Sequence, residues 1–144
     1  MPKVVGINIS KIKGVVKEPI KKGFFEENHG LEGDAHAGTW HRQVSFLAQE
    51  SIDKMKLLGA KDLSSGKFAE NITTEGLILY DLPIGTKLKI GETIMEVTQI
   101  GKECHKGCAI RSQVGDCIMP REGIFAKVLQ SGWILCGDEI EIIR

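Results

Sequence analysis

Three of the four cysteines, Cys104, Cys108 and Cys117, fall within fourteen positions, in a stretch that also carries Lys102, His105, Lys106 and Arg111. Thiols so grouped can bind zinc, cycle as a redox pair, or act singly as nucleophile or metal ligand. Structural zinc sites pair their ligands about two to four residues apart and pair them again further on. Cys104 and Cys108 supply one such arm, but Cys117 with a histidine makes an irregular second. A dithiol centre favours Cys-x-x-Cys at a helix N-terminus, where the dipole lowers the thiol pKa, whereas the spacing here is Cys-x-x-x-Cys after a strand. Free cysteine is also among the most buried residue types. On that ground Cys136, inside the apolar run WILCGDEIEI, reads as a small core hydrophobe, and Cys117 is equally compatible with that role. Cys104 is different, because it lies in the polar loop GKECHKG beside Lys102, His105 and Lys106. Positive charge nearby favours the thiolate, which is both a nucleophile and a soft ligand for a transition metal.

Two further clusters point to an anion and a polar substrate. The segment GLEGDAHAGTWHRQVSFL, residues 30 to 47, combines glycines with His36, His41, Arg42 and Gln43. Glycines let backbone approach a ligand closely, and an arginine can grip a phosphate through two parallel hydrogen bonds. Asp34-x-His36 alone is too common a pair to mark a metal site. The segment KFAENITTEGL, residues 67 to 77, carries Glu70, Asn71, Thr73 and Thr74. An amide and hydroxyls together offer donors and acceptors suited to a polar heterocycle. The same residues would also serve as the polar end of a strand turning at Gly76.

Strands must position these groups. KVVGINI and GVVKEPI mix β-branched residues with period-two alternation, and TKLKIGETIMEVTQI predicts two strands joined at Gly91-Glu92. LPIGTKLKI and ILCGDEIEI resemble each other: each sets Leu88 and Ile90, or Ile140 and Ile142, on one face, as suits neighbouring strands. Two short helices are predicted. One runs from 49 to 58 with Ile52, Met55 and Leu58 on one side, and the other from 122 to 131 with Ile124, Phe125, Val128 and Leu129 as its stripe. Strands outnumber helices without regular alternation, so the expected fold is mostly β (α+β), an antiparallel β-barrel with two or more short helices.

The chain has 144 residues, 42% hydrophobic and 26% charged, which places it in the globular class as one domain over 1–144. Nineteen basic residues balance nineteen acidic ones, so no global field draws it to nucleic acid or to an anionic membrane. No apolar stretch approaches the ~20 residues that cross a bilayer, and the expected location is the cytoplasm, where thiols stay reduced.

In their order, GLEGDAHAG, HRQVSFLAQESI, FAENITTEGL, LPIGTKLKIGETIMEVTQIGKECH and GIFAKVLQSGWILCGDEI resemble the MOSC domain, found at the C-terminus of molybdenum cofactor sulfurases and as small stand-alone bacterial proteins. The resemblance implies a β-rich, barrel-like fold that binds the molybdenum cofactor, a pterin carrying a dithiolene and a terminal phosphate. The family cysteine after the EVTQ strand falls on Cys104, which the resemblance makes the molybdenum ligand. Arg42, Gln43, Asn71, Thr73, His36 and Lys102 are the expected cofactor contacts. Related motifs carry an arginine two residues before the asparagine, where this chain has Ala69, and a proline before the cysteine, where it has Glu103. Two functions follow. One is a reductase of N-oxygenated small molecules such as hydroxylamino compounds, supplied with electrons by a donor protein. The other is a sulfur or cofactor carrier that takes a persulfide on Cys104 from a cysteine desulfurase. Cys108, four positions on, suits such an exchange.

Overall fold

A computed structural model describes residues 2–12, 17–57, 70–101 and 122–143. Within them lie eleven strands: β1 (Lys3–Ile9), β2 (Glu18–Ile20), β3 (Lys22–Glu26), β4 (Gly30–Leu31), β5 (Val44–Ala48), β6 (Ile72–Glu75), β7 (Lys87–Ile90), β8 (Thr93–Ile100), β9 (Ile124–Gln130), β10 (Gly132–Leu135) and β11 (Ile140–Ile143). One helix, α1 (Gln49–Leu57), and one 3-10 turn (Leu79–Asp81) accompany them. An eight-stranded sheet has the order β11-β7-β8-β9-β5-β6-β1-β2, and a three-stranded sheet has the order β10-β3-β4.

The β7–β8 hairpin forms as the alternation requires. Ile90 pairs with Thr93 across Gly91-Glu92, and Gly91 takes φ 54°, a conformation costly for residues with a Cβ. The two look-alike segments do become neighbours: β11 pairs antiparallel with β7, Ile140 opposite Ile90 and Ile142 opposite Leu88. Leu88, Ile90 and Ile140 are buried, while Ile142 stays 38% exposed at the sheet edge. Helix α1 turns Ile52 and Met55 into the protein as predicted; Leu58, the last residue of the predicted helix, lies outside the described residues. The helix lies between β5 and β6, which pair in parallel, the single parallel pair among the described strands.

The second predicted helix is a strand. Residues 124–130 form β9, which pairs with β8 on one side and β5 on the other. Ile124, Phe125, Ala126 and Val128 are all buried, so apolar residues occupy both faces of this central strand. A short apolar run covered on both faces has no period-two signature and is easily read as helical. The barrel expectation is also corrected: among the described residues neither sheet closes. β2 and β11 are the ends of the larger sheet, and the start of β1 meets the turn before β11 only through the isolated bridge Lys3–Glu139 and flanking bonds such as Val4 N–H to Asp138 O at 2.8 Å. One hydrophobic core fills the space enclosed by the two sheets, with Phe25 and Leu31 from the smaller meeting Ile7, Phe46, Ile72 and Met95 from the larger. Among the described residues no helix is long and apolar enough to cross a membrane.

Candidate functional site

The glycine-rich segment between β4 and β5 is a tightly bonded loop built on a buried ion pair. Lys17 Nζ donates to Asp34 Oδ1 at 2.7 Å, to Ser10 Oγ at 3.2 Å and to His36 Nδ1 at 3.1 Å, using all three ammonium protons. Neither side chain of the pair is exposed. Asp34 also accepts from the Ser10 N–H at 3.0 Å and the His36 N–H at 3.2 Å. Burial pushes the Asp34 carboxyl up, but the Lys17 hydrogen bond, the Ser10 N–H, the Lys17 charge and the Asn71 side chain together hold it below its ordinary value.

Beyond this pair the loop reaches the open end of β8. Trp40 Nε1 donates to the His36 carbonyl at 2.9 Å, and the His41 ring meets Gln99 Oε1 at 2.7 Å. Gln99 Nε2 in turn donates to the Gly101 carbonyl at 2.7 Å, and the Thr98 hydroxyl donates to the His41 carbonyl. Gly101 N–H reaches Gly123 O at 2.6 Å, bringing together the two chain ends that flank residues 102–121. Arg42 lies beside this junction. Its guanidinium carbon stands 4.7 Å from the Trp40 ring centre and 5.7 Å from that of Phe125, and its Nε is buried with no hydrogen-bond partner among the described residues. A buried, unpaired cationic donor is costly unless an anion or a water meets it.

The amides expected to contact a cofactor are engaged within the protein. Gln43, 1% exposed, accepts from Val128 N–H at 2.9 Å and donates to Asn28 Oδ1 at 3.2 Å. Asn71, equally buried, accepts from the Ser45 N–H and hydroxyl at 3.0 and 3.1 Å and donates to the Asn8 carbonyl at 3.2 Å. Thr73 donates to Glu70 Oε2 at 2.8 Å and accepts from Asn8 Nδ2 at 3.2 Å. These bonds tie β5, β6 and β1 together directly behind the loop. His36 is half-buried over Lys17, and Arg42 is half-buried at the surface of the same loop.

Lys102 and Cys104 lie outside the described residues, as do His105, Lys106, Cys108, Arg111 and Cys117. Among the described residues no three histidine, cysteine, aspartate or glutamate side chains gather closely enough to hold a metal. Cys136 corrects the core reading: it is exposed, its Sγ 3.7 Å from the Ile20 carbonyl. Ile134 is the inward residue of β10, and by Cys136 the chain has already entered the turn at Gly137. Lys17 escapes a reading of sequence, since a lysine followed by Glu18 in an alternating run looks like a solvated strand position. Ser45 and Asn8, hidden within β5 and β1, carry no signal of their own.

A sequence model described as the MOSC domain matches residues 33–141. Over 140 residues the chain is 24% identical to the uncharacterized protein YflK of Bacillus subtilis (strain 168), covering 90% of this chain but 63% of that protein's length. The fold is similar to that of YuaD from Bacillus subtilis, with TM-score 0.82 and 21% identity over 99% of this chain and 96% of the other. It is also similar to YiiM from Geobacillus stearothermophilus, with TM-score 0.77 and 20% identity over 100% and 76% of the two chains. The matched span holds Asp34 to Gln43 of the loop, Ser45, Glu70, Asn71 and Thr73 of the buried polar network, and the β8–β9 junction, and this chain belongs to the MOSC domain family, a family associated with binding of the molybdenum cofactor.

Proposed function

We propose that this protein binds the molybdenum cofactor and reduces N-hydroxylated small molecules, with Cys104 as the protein's ligand to the metal. The observation that carries this reading is the buried Arg42 Nε, which has no hydrogen-bond partner among the described residues. A cofactor ending in a phosphate meets that need, and the guanidinium, held between Trp40 and Phe125, is oriented for a planar, two-point contact. Cys104 is three residues beyond Gly101, its nearest described anchor along the chain. The same anchor is bonded through Gln99 to His41, next to Arg42.

When bound, the cofactor supplies a two-electron couple at a metal that favours soft thiolate ligation. The net reaction is R–NH–OH + 2 e⁻ + 2 H⁺ → R–NH2 + H2O, with the electrons supplied by a donor protein. Arg42 and Lys102 hold the anionic end. Gln43, Asn71 and Thr73 act behind them by fixing β5 and β6, because their polar groups are bonded to the chain itself. The Lys17–Asp34 pair holds the loop that presents His36 and Arg42.

A second reading is favoured by Cys108, four positions after Cys104. Here Cys104 takes sulfane sulfur from a desulfurase, Cys104–S⁻ + HS–S–Cys → Cys104–S–S⁻ + HS–Cys, and passes it on. One experiment separates the two. The protein is purified from cells that make the cofactor, and molybdenum, released pterin and cyanolysable sulfur are measured for wild type, Cys104→Ser and Arg42→Ala. The reductase reading expects molybdenum in wild type, none in Cys104→Ser, and pterin depleted in Arg42→Ala. Metal-free protein with labile sulfur on Cys104 supports the carrier, and stoichiometric zinc on the cysteines rejects both.

A further inference from the structure

We infer that His36 is a proton switch for the loop that carries Trp40 and Arg42: its neutral ring caps the buried Lys17 ammonium and keeps the loop ordered, while its protonated ring is expelled and lets the loop loosen. Lys17 Nζ stands 3.1 Å from His36 Nδ1. An ammonium donates and cannot accept, so Nδ1 must offer its lone pair, and the ring is neutral with its proton on Nε2. Protonation puts a hydrogen on Nδ1 where the ammonium proton already points. The bond becomes a contact between two cations, and the ammonium, left with Asp34 Oδ1 and Ser10 Oγ, has one buried donor unpaired. Lys17 cannot retreat, because it is 2% exposed and paired to Asp34 at 2.7 Å. His36 can, because it is half-buried. Among the described residues, the charged groups that meet His36 are Lys17, from just before β2, and Asp34, from its own loop, while the Ser10 hydroxyl, just after β1, shares the ammonium. Asp34, held below its ordinary value, stays ionised wherever imidazole titrates, and its oxygens are already engaged by Lys17 and by the Ser10 and His36 N–H groups.

The backbone of His36 carries the change along the loop. Its N–H donates to Asp34 Oδ2 at 3.2 Å and its carbonyl accepts from Trp40 Nε1 at 2.9 Å. Expelling the ring turns this segment and releases the indole. The Arg42 guanidinium packs 4.7 Å from the indole centre, so its orientation loosens in the same step. The other ties of the loop are bonds from Ala37 N–H to Asp34 O at 3.2 Å, from Gly38 N–H to His29 O at 2.7 Å and from Trp40 N–H to Gly38 O at 3.0 Å, and Trp40 is 39% exposed. Segments whose bonds lie near solvent open locally at little cost. Imidazole ordinarily changes charge between about pH 5 and 8, so the loop is ordered at the upper end of that range and loosens toward the lower. The switch stands on the loop's own bonds. Only its consequence, a weaker grip by Arg42 in acid, rests on the proposed cofactor reading.

The test uses the full chain and needs no turnover. The chain has two tryptophans, so Trp133→Phe leaves Trp40 as the sole indole, and quenching of its fluorescence by acrylamide reads the opening of the loop. From about pH 7.5 down to about pH 5.5 the quenching constant is expected to rise about twofold or more. In the same background His36→Asn keeps an acceptor oxygen in place of Nδ1 at every pH, and its quenching constant is expected to stay flat. Nitrogen NMR of the wild-type ring, assigned through its own backbone, requires no variant and is expected to show Nδ1 bare and Nε2 protonated at the upper pH. A quenching constant that does not rise overturns the inference. So does an equal rise in His36→Asn, which would assign the response to His41, whose ring centre lies 6.0 Å from that of Trp40. A His36 ring that is charged, or protonated on Nδ1, at the upper pH overturns it as well. A His36-dependent rise in protein that acquires neither molybdenum nor pterin in cofactor-producing cells upholds the switch and rejects the cofactor reading alone.

Discussion

The Lys17 ammonium and the Asp34 carboxylate stand 2.7 Å apart with neither side chain exposed to solvent. Lys17 immediately precedes β2 and Asp34 comes from the glycine-rich loop, and the remaining ammonium protons go to Ser10 and His36. The pair thus joins the strand edge to the loop that carries Trp40 and Arg42. A buried charge is tolerable only with its partner, and removing one member of such a pair costs about 3–5 kcal/mol. Lys17→Met is expected to lose that much stability in urea unfolding, and Lys17→Met with Asp34→Leu to recover a large part of it. A single substitution costing under about 1 kcal/mol would show that the pair does not hold the loop.

The same pair sets an acid dependence. The Asp34 carboxyl is held below its ordinary value of 3.8 in the folded protein, so over the acid range the unfolded chain binds a proton that the folded chain refuses. Its contribution to stability is whole above about pH 5 and falls as the pH drops through the unfolded value toward the folded one. Unfolding midpoints measured from pH 6 down to pH 3 should therefore fall more steeply in wild type than in Asp34→Asn. Parallel curves would remove Asp34 as a source of the slope.

Asn71 makes a separable prediction. Its amide satisfies the Ser45 N–H and hydroxyl and the Asn8 carbonyl in a region with no access to water. Truncation removes these bonds, at about 1–3 kcal/mol for each buried polar group that loses its partner. Asn71→Ala should destabilise the fold by about 3 kcal/mol by chemical denaturation. A fully stable Asn71→Ala protein that no longer retains pterin would place the amide against the cofactor instead of within the sheet.

Cys136 should be both reactive and dispensable. It is exposed at the end of β10, where substitutions ordinarily change stability by no more than about 0.5 kcal/mol. Cys136→Ser is expected to match wild type in thermal unfolding and in molybdenum content. In a Cys104/Cys108/Cys117 triple serine variant, the remaining thiol should react promptly with a maleimide while the protein is folded. Protection until denaturant is added would contradict its exposure.

Much of this architecture is local and therefore legible in the chain. The Gly91-Glu92 turn with alternating residues on each side dictates the β7–β8 hairpin, the period of Ile52 and Met55 dictates helix α1, and the matching patterns of 82–90 and 134–142 anticipate two strands lying side by side. Arg42 stands out as a cation amid glycines. Tertiary structure decided the rest, because the information is not local. β9 is apolar on both faces only because β8 and β5 flank it in the middle of a sheet, a covering that its own sequence does not encode. Cys136 is exposed because the chain turns at Gly137 before the residue can face inward. Lys17 becomes a buried anchor because Asp34, seventeen positions away, supplies the opposite charge. A side chain's chemistry is written in its type, but burial and partners belong to the fold, and at Lys17, Asn71 and Arg42 those partners decide what the chemistry is for.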